Sequence, residues 1–176
     1  MNVEKQLAGL LAREQVRDLV TSRYAFAVDW LDLEAMKDLF TADSTVSFGP
    51  ASLGGHEFCD MWCNMGAGFS MRYHFVECAH VSVDGDKGRV EARAIVAGTA
   101  PDPKSETGAS RDALEGSRYF FDVVKEADGA WRIAKMHITF SWTFVQPASP
   151  ATAAGAPFDQ GLDTSHWLYK KMTGAS

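Results

Sequence analysis

The sequence predicts an α+β protein, and three observations carry that prediction. Apolar residues recur at three-and-four spacing through roughly the first third of the chain. They then alternate with polar residues in four long segments, and short Asp/Gly turns separate those segments. The expected architecture is a cone, three N-terminal helices packed on a curved, mostly antiparallel sheet.

Leu7, Leu10, Leu11, Val16, Leu19, Val20, Tyr24 and Ala27, with charges between them, predict one amphipathic helix from about Val3 to Val28 with a single buried face. Asp32 precedes Leu33 to Phe40 and is expected to cap that second helix, with Glu34 favourable in its first turn. Thr45 to Phe48 alternates like a short strand, and Gly54-Gly55 is a break. His56 to Gly66 gathers Phe58, Met61, Trp62 and Met65 on one side of a third helix. Met71 to Val83, Arg89 to Ala97, Ser117 to Lys125 and Trp131 to Val145 then read as strands. Between them lie Asp84-Gly85-Asp86, a Pro/Ser/Gly-rich stretch from Pro101 to Asp112, and Asp128-Gly129. Residues 1–145 are therefore one domain. Residues 146–176 form a Pro/Ala/Ser/Gly-rich loop and an aromatic tail, expected either as a lid, as a subunit contact or as a loosely held end.

Composition narrows the function classes. A chain of 176 residues with 46% hydrophobic and 23% charged residues suits one soluble domain, and no apolar run approaches the ~18 residues of a membrane span. The polar start and the charged segment behind it hold no signal-peptide core, which leads to the expectation of a cytoplasmic protein. A net charge of −6 without a basic stripe argues against nucleic acid as a partner. Cys59, Cys63 and Cys78 are read as free thiols. His56, Cys59, Asp60 and Cys63 share helical spacing, but no second ligand pair matches them, so no metal and no cofactor is expected. Phosphate-loop and serine-elbow motifs are likewise missing from the sequence.

Strand alternation puts Arg72, His74, Val76, Cys78 and His80 on one face of the first long strand. His74, near mid-strand, is the best general-base candidate; the competing role is a hydrogen-bonded core histidine. Asp29 closes the first helix, where an ionised carboxylate opposes the helix dipole and needs a donor, and His74 would supply one. The alternative for Asp29 is a solvated turn residue. Tyr24 shares the buried helix face and is expected to donate to a substrate oxygen, or else to fill the core. Trp30, Phe48, Trp62, Phe120, Met136, Phe140 and Trp142 are the candidate apolar lining of a substrate pocket.

Several segments together resemble the SnoaL-like branch of the NTF2-like superfamily: Tyr24-Ala25-Phe26-Ala27-Val28-Asp29, Leu39-Phe40-Thr41-Ala42-Asp43, the His74-Phe75 strand running to Val83-Asp84-Gly85-Asp86, and Asp128-Gly129-Ala130-Trp131-Arg132-Ile133. The resemblance spans residues 5–145. It implies a cofactor-independent lyase like the branch's scytalone dehydratase, bile-acid 7α-dehydratase and hexachlorocyclohexane dehydrochlorinase. Their histidine and aspartate fall on His74 and Asp29, and the bile-acid enzyme's tyrosine falls on Tyr24. The dehydrochlorinase has lysine in place of Tyr24 and arginine in place of Met136, so halide loss is the weaker expectation. The acid of the bile-acid enzyme's next strand finds no counterpart in Ile95-Val96-Ala97-Gly98.

The expected reaction is elimination of water from a hydrophobic, aromatic or polycyclic, hydroxylated substrate. Two alternatives stand beside it. One is release of formaldehyde from a lignin-derived diaryl compound by the same base. The other is a non-catalytic pocket protein, or a dioxygenase small subunit whose large partner carries the iron. The resemblance also implies a homo-oligomer, a trimer first and a dimer as the alternative.

Overall fold

The computed structural model describes residues 3–149 and 163–175. Helices α1 (Val3–Asp18), α2 (Tyr24–Trp30), α3 (Leu33–Asp38) and α4 (Gly55–Gly66) pack on a six-stranded sheet, and α5 (Trp167–Thr173) closes the described chain. The strands are β1 (Phe40–Phe48), β2 (Ala51–Gly54), β3 (Met71–Asp84), β4 (Lys87–Pro101), β5 (Ser110–Lys125) and β6 (Trp131–Pro147), in the spatial order β2-β1-β6-β5-β4-β3. Only the β1–β6 pairing is parallel, so the sheet is mixed and mostly antiparallel, in agreement with the α+β expectation.

The single helix expected over Val3–Val28 is interrupted. Leu19–Arg23 is a π turn in which the Tyr24 N–H donates to the Leu19 carbonyl, while the Thr21 hydroxyl donates to the Arg17 carbonyl at 2.9 Å. A side chain that claims a helical carbonyl competes with the ladder locally, and single π turns are common beside functional sites. From the end of α1 through the turn and α2, Val16, Leu19, Val20, Tyr24, Ala27 and Val28 are buried against the inner sheet residues Val90, Ala92, Tyr119, Phe121 and Ile133. Earlier in α1 the expected buried face fails: Leu7, Leu10 and Leu11 stand 52–55% exposed.

Asp32 caps α3 as expected, accepting from the Ala35 N–H at 3.0 Å. The Pro101–Asp112 stretch is shorter as a loop than its composition predicts, since β4 and β5 run to Pro101 and from Ser110 and pair across that end. β3 carries a bulge between Cys78 and His80. One inserted residue inverts the alternation, so His80 leaves the face of Arg72 and His74, and Val81 and Val83 take the inner positions instead. Among the described residues no helix is long and apolar enough to cross a membrane.

Candidate active site

Asp29 sits in the last turn of α2. That helix ends at Leu31, which adopts a left-handed conformation at φ 53°, with both the Leu31 and Asp32 N–H groups donating to the Ala27 carbonyl. A leucine is strained there by roughly 1–2 kcal/mol, and packing holds it: a Cβ built on Gly66 would stand 2.7 Å from the Leu31 side chain. From that last turn the Asp29 carboxylate reaches β3.

Both carboxylate oxygens serve one residue. Oδ1 lies 2.6 Å from His74 Nδ1, and Oδ2 accepts the His74 backbone N–H at 3.0 Å. An ionised carboxylate only accepts, so Nδ1 carries the proton and the neutral ring keeps its lone pair on Nε2. Nε2 has no protein partner among the described residues. The Trp62 indole meets the imidazole edge-on at 5.3 Å between ring centres, and is itself anchored by donating to the Val28 carbonyl at 3.0 Å. Arg72, also buried, donates to the carbonyls of Gly66 at 2.6 Å and Asp29 at 3.3 Å. Burial lowers the pKa of its guanidinium, and the nearby Asp29 charge offsets part of that shift. The dyad is thus held from the helix end and from the loop after α4 together.

His74 lines a cavity of about 300 Å³ between the helices and the inner sheet face. Tyr24 and Tyr119 also line it, their rings edge-on to each other at 6.1 Å. Burial raises both phenol pKa values above the ordinary 10, so both remain neutral donors. Phe48, Trp62 and Phe140, three of the expected apolar residues, line the same space, with Phe58 and Met61 beside them.

Trp30, Phe120, Met136 and Trp142 lie elsewhere. Trp30 packs against Tyr169 and His166. Phe120 lines a shallow groove on the opposite sheet face with His80 and His137, and Met136 is sealed in the core behind that groove. Trp142 lies outside, against the backbone of Gly116, where a Cβ would come within 2.3 Å of its ring. These four were chosen for size: strand parity turns Phe120 and Trp142 to the outer face, Met136 faces inward but packs in the core, and Trp30 ends a helix and points to the tail. Neither His80 nor His137 reaches it; the His137 Nδ1 is 2.7 Å from the Ser47 hydroxyl.

Sequence reasoning missed Tyr119, Glu115 and Arg111, all inner-face residues of β5 that line the cavity. The available signal was the alternation of Tyr119, Phe121 and Val123 with the charged Arg118 and Asp122, which fixes the inner parity of β5 and, counted back, includes Glu115 and Arg111. Glu115 stands in register with Val96, which pairs with His74, and its Oε1 accepts from the Ser117 hydroxyl at 2.8 Å.

Among the described residues no three His, Cys, Asp or Glu side chains are grouped to hold a metal. Of the four helical candidates, Asp60 pairs with Lys37 at 2.8 Å, and the Cys59 thiol is buried, which pushes its pKa up to about 12. All three cysteines are free.

A helix-end carboxylate clasping a strand histidine inside an apolar cone defines the class of small α+β pocket proteins. Within it, the SnoaL-like domain model matches residues 8–137, and the chain belongs to that family. The fold is similar to that of a candidate scytalone dehydratase from Novosphingobium aromaticivorans DSM 12444, with 18% identity, a TM-score of 0.67, and 82% of this chain and 96% of that one covered. It is similar also to the hexachlorocyclohexane dehydrochlorinase LinA-type3 from Novosphingobium barchaimii LL02, at 17% identity, TM-score 0.66, and 82% and 95% coverage. A third is an NTF2-like protein with a cystatin-like fold from Novosphingobium aromaticivorans, at 22% identity, TM-score 0.62, and 89% and 96% coverage. No curated protein matches the chain.

Proposed function

We propose that this protein is a cofactor-independent lyase that eliminates water from a hydrophobic, aromatic, hydroxylated substrate, with His74 as the general base. The observation that carries the proposal is the two-point hold of Asp29 on His74, at 2.6 Å to the ring and 3.0 Å to the backbone, which leaves Nε2 to the cavity. Nε2 takes a proton from the carbon adjacent to the one bearing the hydroxyl. The C–H electron pair becomes the new carbon–carbon double bond as the C–O bond breaks. The imidazolium, stabilised by Asp29, returns the proton to the departing hydroxide, and water leaves. The phenols of Tyr24 and Tyr119 donate hydrogen bonds to the oxygen as it gains charge, in a site where few other donors compete. The unpartnered Nε2 of a buried histidine that lines an apolar cavity, with its other ring nitrogen held by a carboxylate, is the arrangement of a general base and favours the enzyme reading.

The test is turnover of a panel of hydroxylated aromatic and diaryl compounds, without added metal or nucleotide, followed by mass spectrometry. Loss of the mass of water is expected. His74→Ala should lower turnover by ~10²–10⁴, and Asp29→Asn by at least about 10². Formaldehyde release in place of water would move the assignment to carbon–carbon cleavage, and full activity in His74→Ala would remove the base from the mechanism.

A further inference from the structure

We infer that Arg111 is the receptor for an anionic group, a carboxylate in the first instance, at the far end of the substrate, so that the cavity takes aryl acids by orientation. This rests on the reading of the cavity as the substrate site and adds the charge class of what enters it.

Arg111 lines the cavity, and among the described residues it is the only Lys or Arg that does. Its immediate lining neighbours, Ala100, Ala113, Gly98 and Phe69, offer no side-chain acceptor. Its guanidinium makes no hydrogen bond or ion pair with any described residue. Arg72, its counterpart on the same inner face, uses its donors on three backbone carbonyls. A guanidinium presents five donors in a fixed fork that fits a carboxylate at two points, and at the edge of an apolar space such a pair is strengthened by the reduced competition from water.

The two charges of β5 set a direction. Glu115 stands four residues from Arg111, about 13 Å along the strand, on the same inner face and across Val96 from His74. Its carboxylate lies close enough to Tyr119 to help raise the pKa of that phenol. An anionic group is therefore repelled from the end that holds Glu115 and the His74–Asp29 pair, and attracted to the end that holds Arg111. The Arg111 end is also the more open one: Arg111, Ala113, Gly98 and Ala100 are half-buried, whereas Tyr24 and Tyr119 are buried. A substrate would enter with its neutral, hydroxyl-bearing carbon leading toward His74 and its anion trailing at Arg111.

The experiment compares two probes of equal shape, biphenyl-4-carboxylate and biphenyl-4-carboxamide, by isothermal titration calorimetry on the full chain. The carboxylate should bind about tenfold tighter or more, the scale of a charged hydrogen bond. That preference should shrink with added salt, vanish in Arg111→Gln and survive in part in Arg111→Lys. Val96→Trp, which fills the space beside His74, should weaken both probes and so locate them in the cavity. Equal affinities, a preference that persists in Arg111→Gln, or no binding of either probe would overturn the inference. His74→Ala should keep the preference whole, so a failure of the lyase assignment and a failure of the anion receptor give different results.

Discussion

Asp29 fixes the imidazole of His74 by its ring and by its own strand, so a rotation of the ring cannot occur without losing a bond that also holds the backbone. One carboxylate thereby sets tautomer and orientation together. Tyr24 and Tyr119, the proposed neutral donors, can have their protonation tested directly. Both phenol pKa values are raised, chiefly by burial. The folded protein therefore keeps these protons at a pH where the unfolded chain, with an ordinary tyrosine pKa of about 10, gives them up. Their contribution to stability is whole below about pH 10 and is lost as pH rises beyond it. In a native alkaline titration followed by phenolate absorbance, Tyr24→Phe and Tyr119→Phe should superimpose on the parent until unfolding begins. A missing increment near pH 10 in either variant would show that phenol to be wetted.

At the scale of elements, the site depends on two departures from regular structure, the π turn of residues Leu19–Arg23 and the left-handed Leu31. They bracket α2, so Tyr24 and Asp29 at its two ends are both placed by irregular backbone. Gly66 secures the second departure. A methyl group there would meet Leu31 at 2.7 Å and the Arg72 chain at 3.4 Å. Gly66→Ala should therefore destabilise the fold by about 1–3 kcal/mol, as overpacking does, and lower turnover by disturbing the Arg72 grip on the Asp29 carbonyl. A melting temperature and a rate equal to the parent's would show that the loop yields freely. These same irregularities mark what the sequence could not convey. Asp29, His74 and Tyr24 were legible because helix period and strand period each place a polar residue on an apolar face. The bulge that turns His80 outward has no signature in the residues Cys78-Ala79-His80. Arg111 was hidden in a stretch whose composition reads as loop, although its backbone pairs with Ala100 and Pro147. Choosing aromatic residues by size selected Phe120 and Trp142 along with Phe140, whereas parity keeps Phe140 and adds Tyr119.

Across the whole molecule, the outer face of the sheet is unusually apolar. Tyr73, Phe75, Ile95, Leu114, Trp142 and Phe144 stand 39–58% exposed, and the register aligns Phe75 with Ile95, Gly116 and Trp142 across four strands. Patches of this kind mark association surfaces. We expect a homo-oligomer in solution, a trimer before a dimer, with this face buried between copies. Light scattering coupled to gel filtration should give the oligomer mass for the parent and a lower mass for Trp142→Lys/Phe144→Glu; a monomeric parent would refute it. The tail bears on the same molecule differently. Tyr169 stacks on Phe26 at 5.7 Å and donates its hydroxyl to Asp32, the residue that also caps α3. Helix α5 thus leans on the chain three residues past Asp29, away from the cavity, and the link between residues 149 and 163 lies outside the described residues. For anyone preparing the protein this decides where a fusion goes: a tag or immobilising linker joined after residue 176 would pull on Tyr169 and Asp32 and, through α2, on the Asp29–His74 pair, so a melting temperature measured on such a sample should be lower than with the tag at the other end.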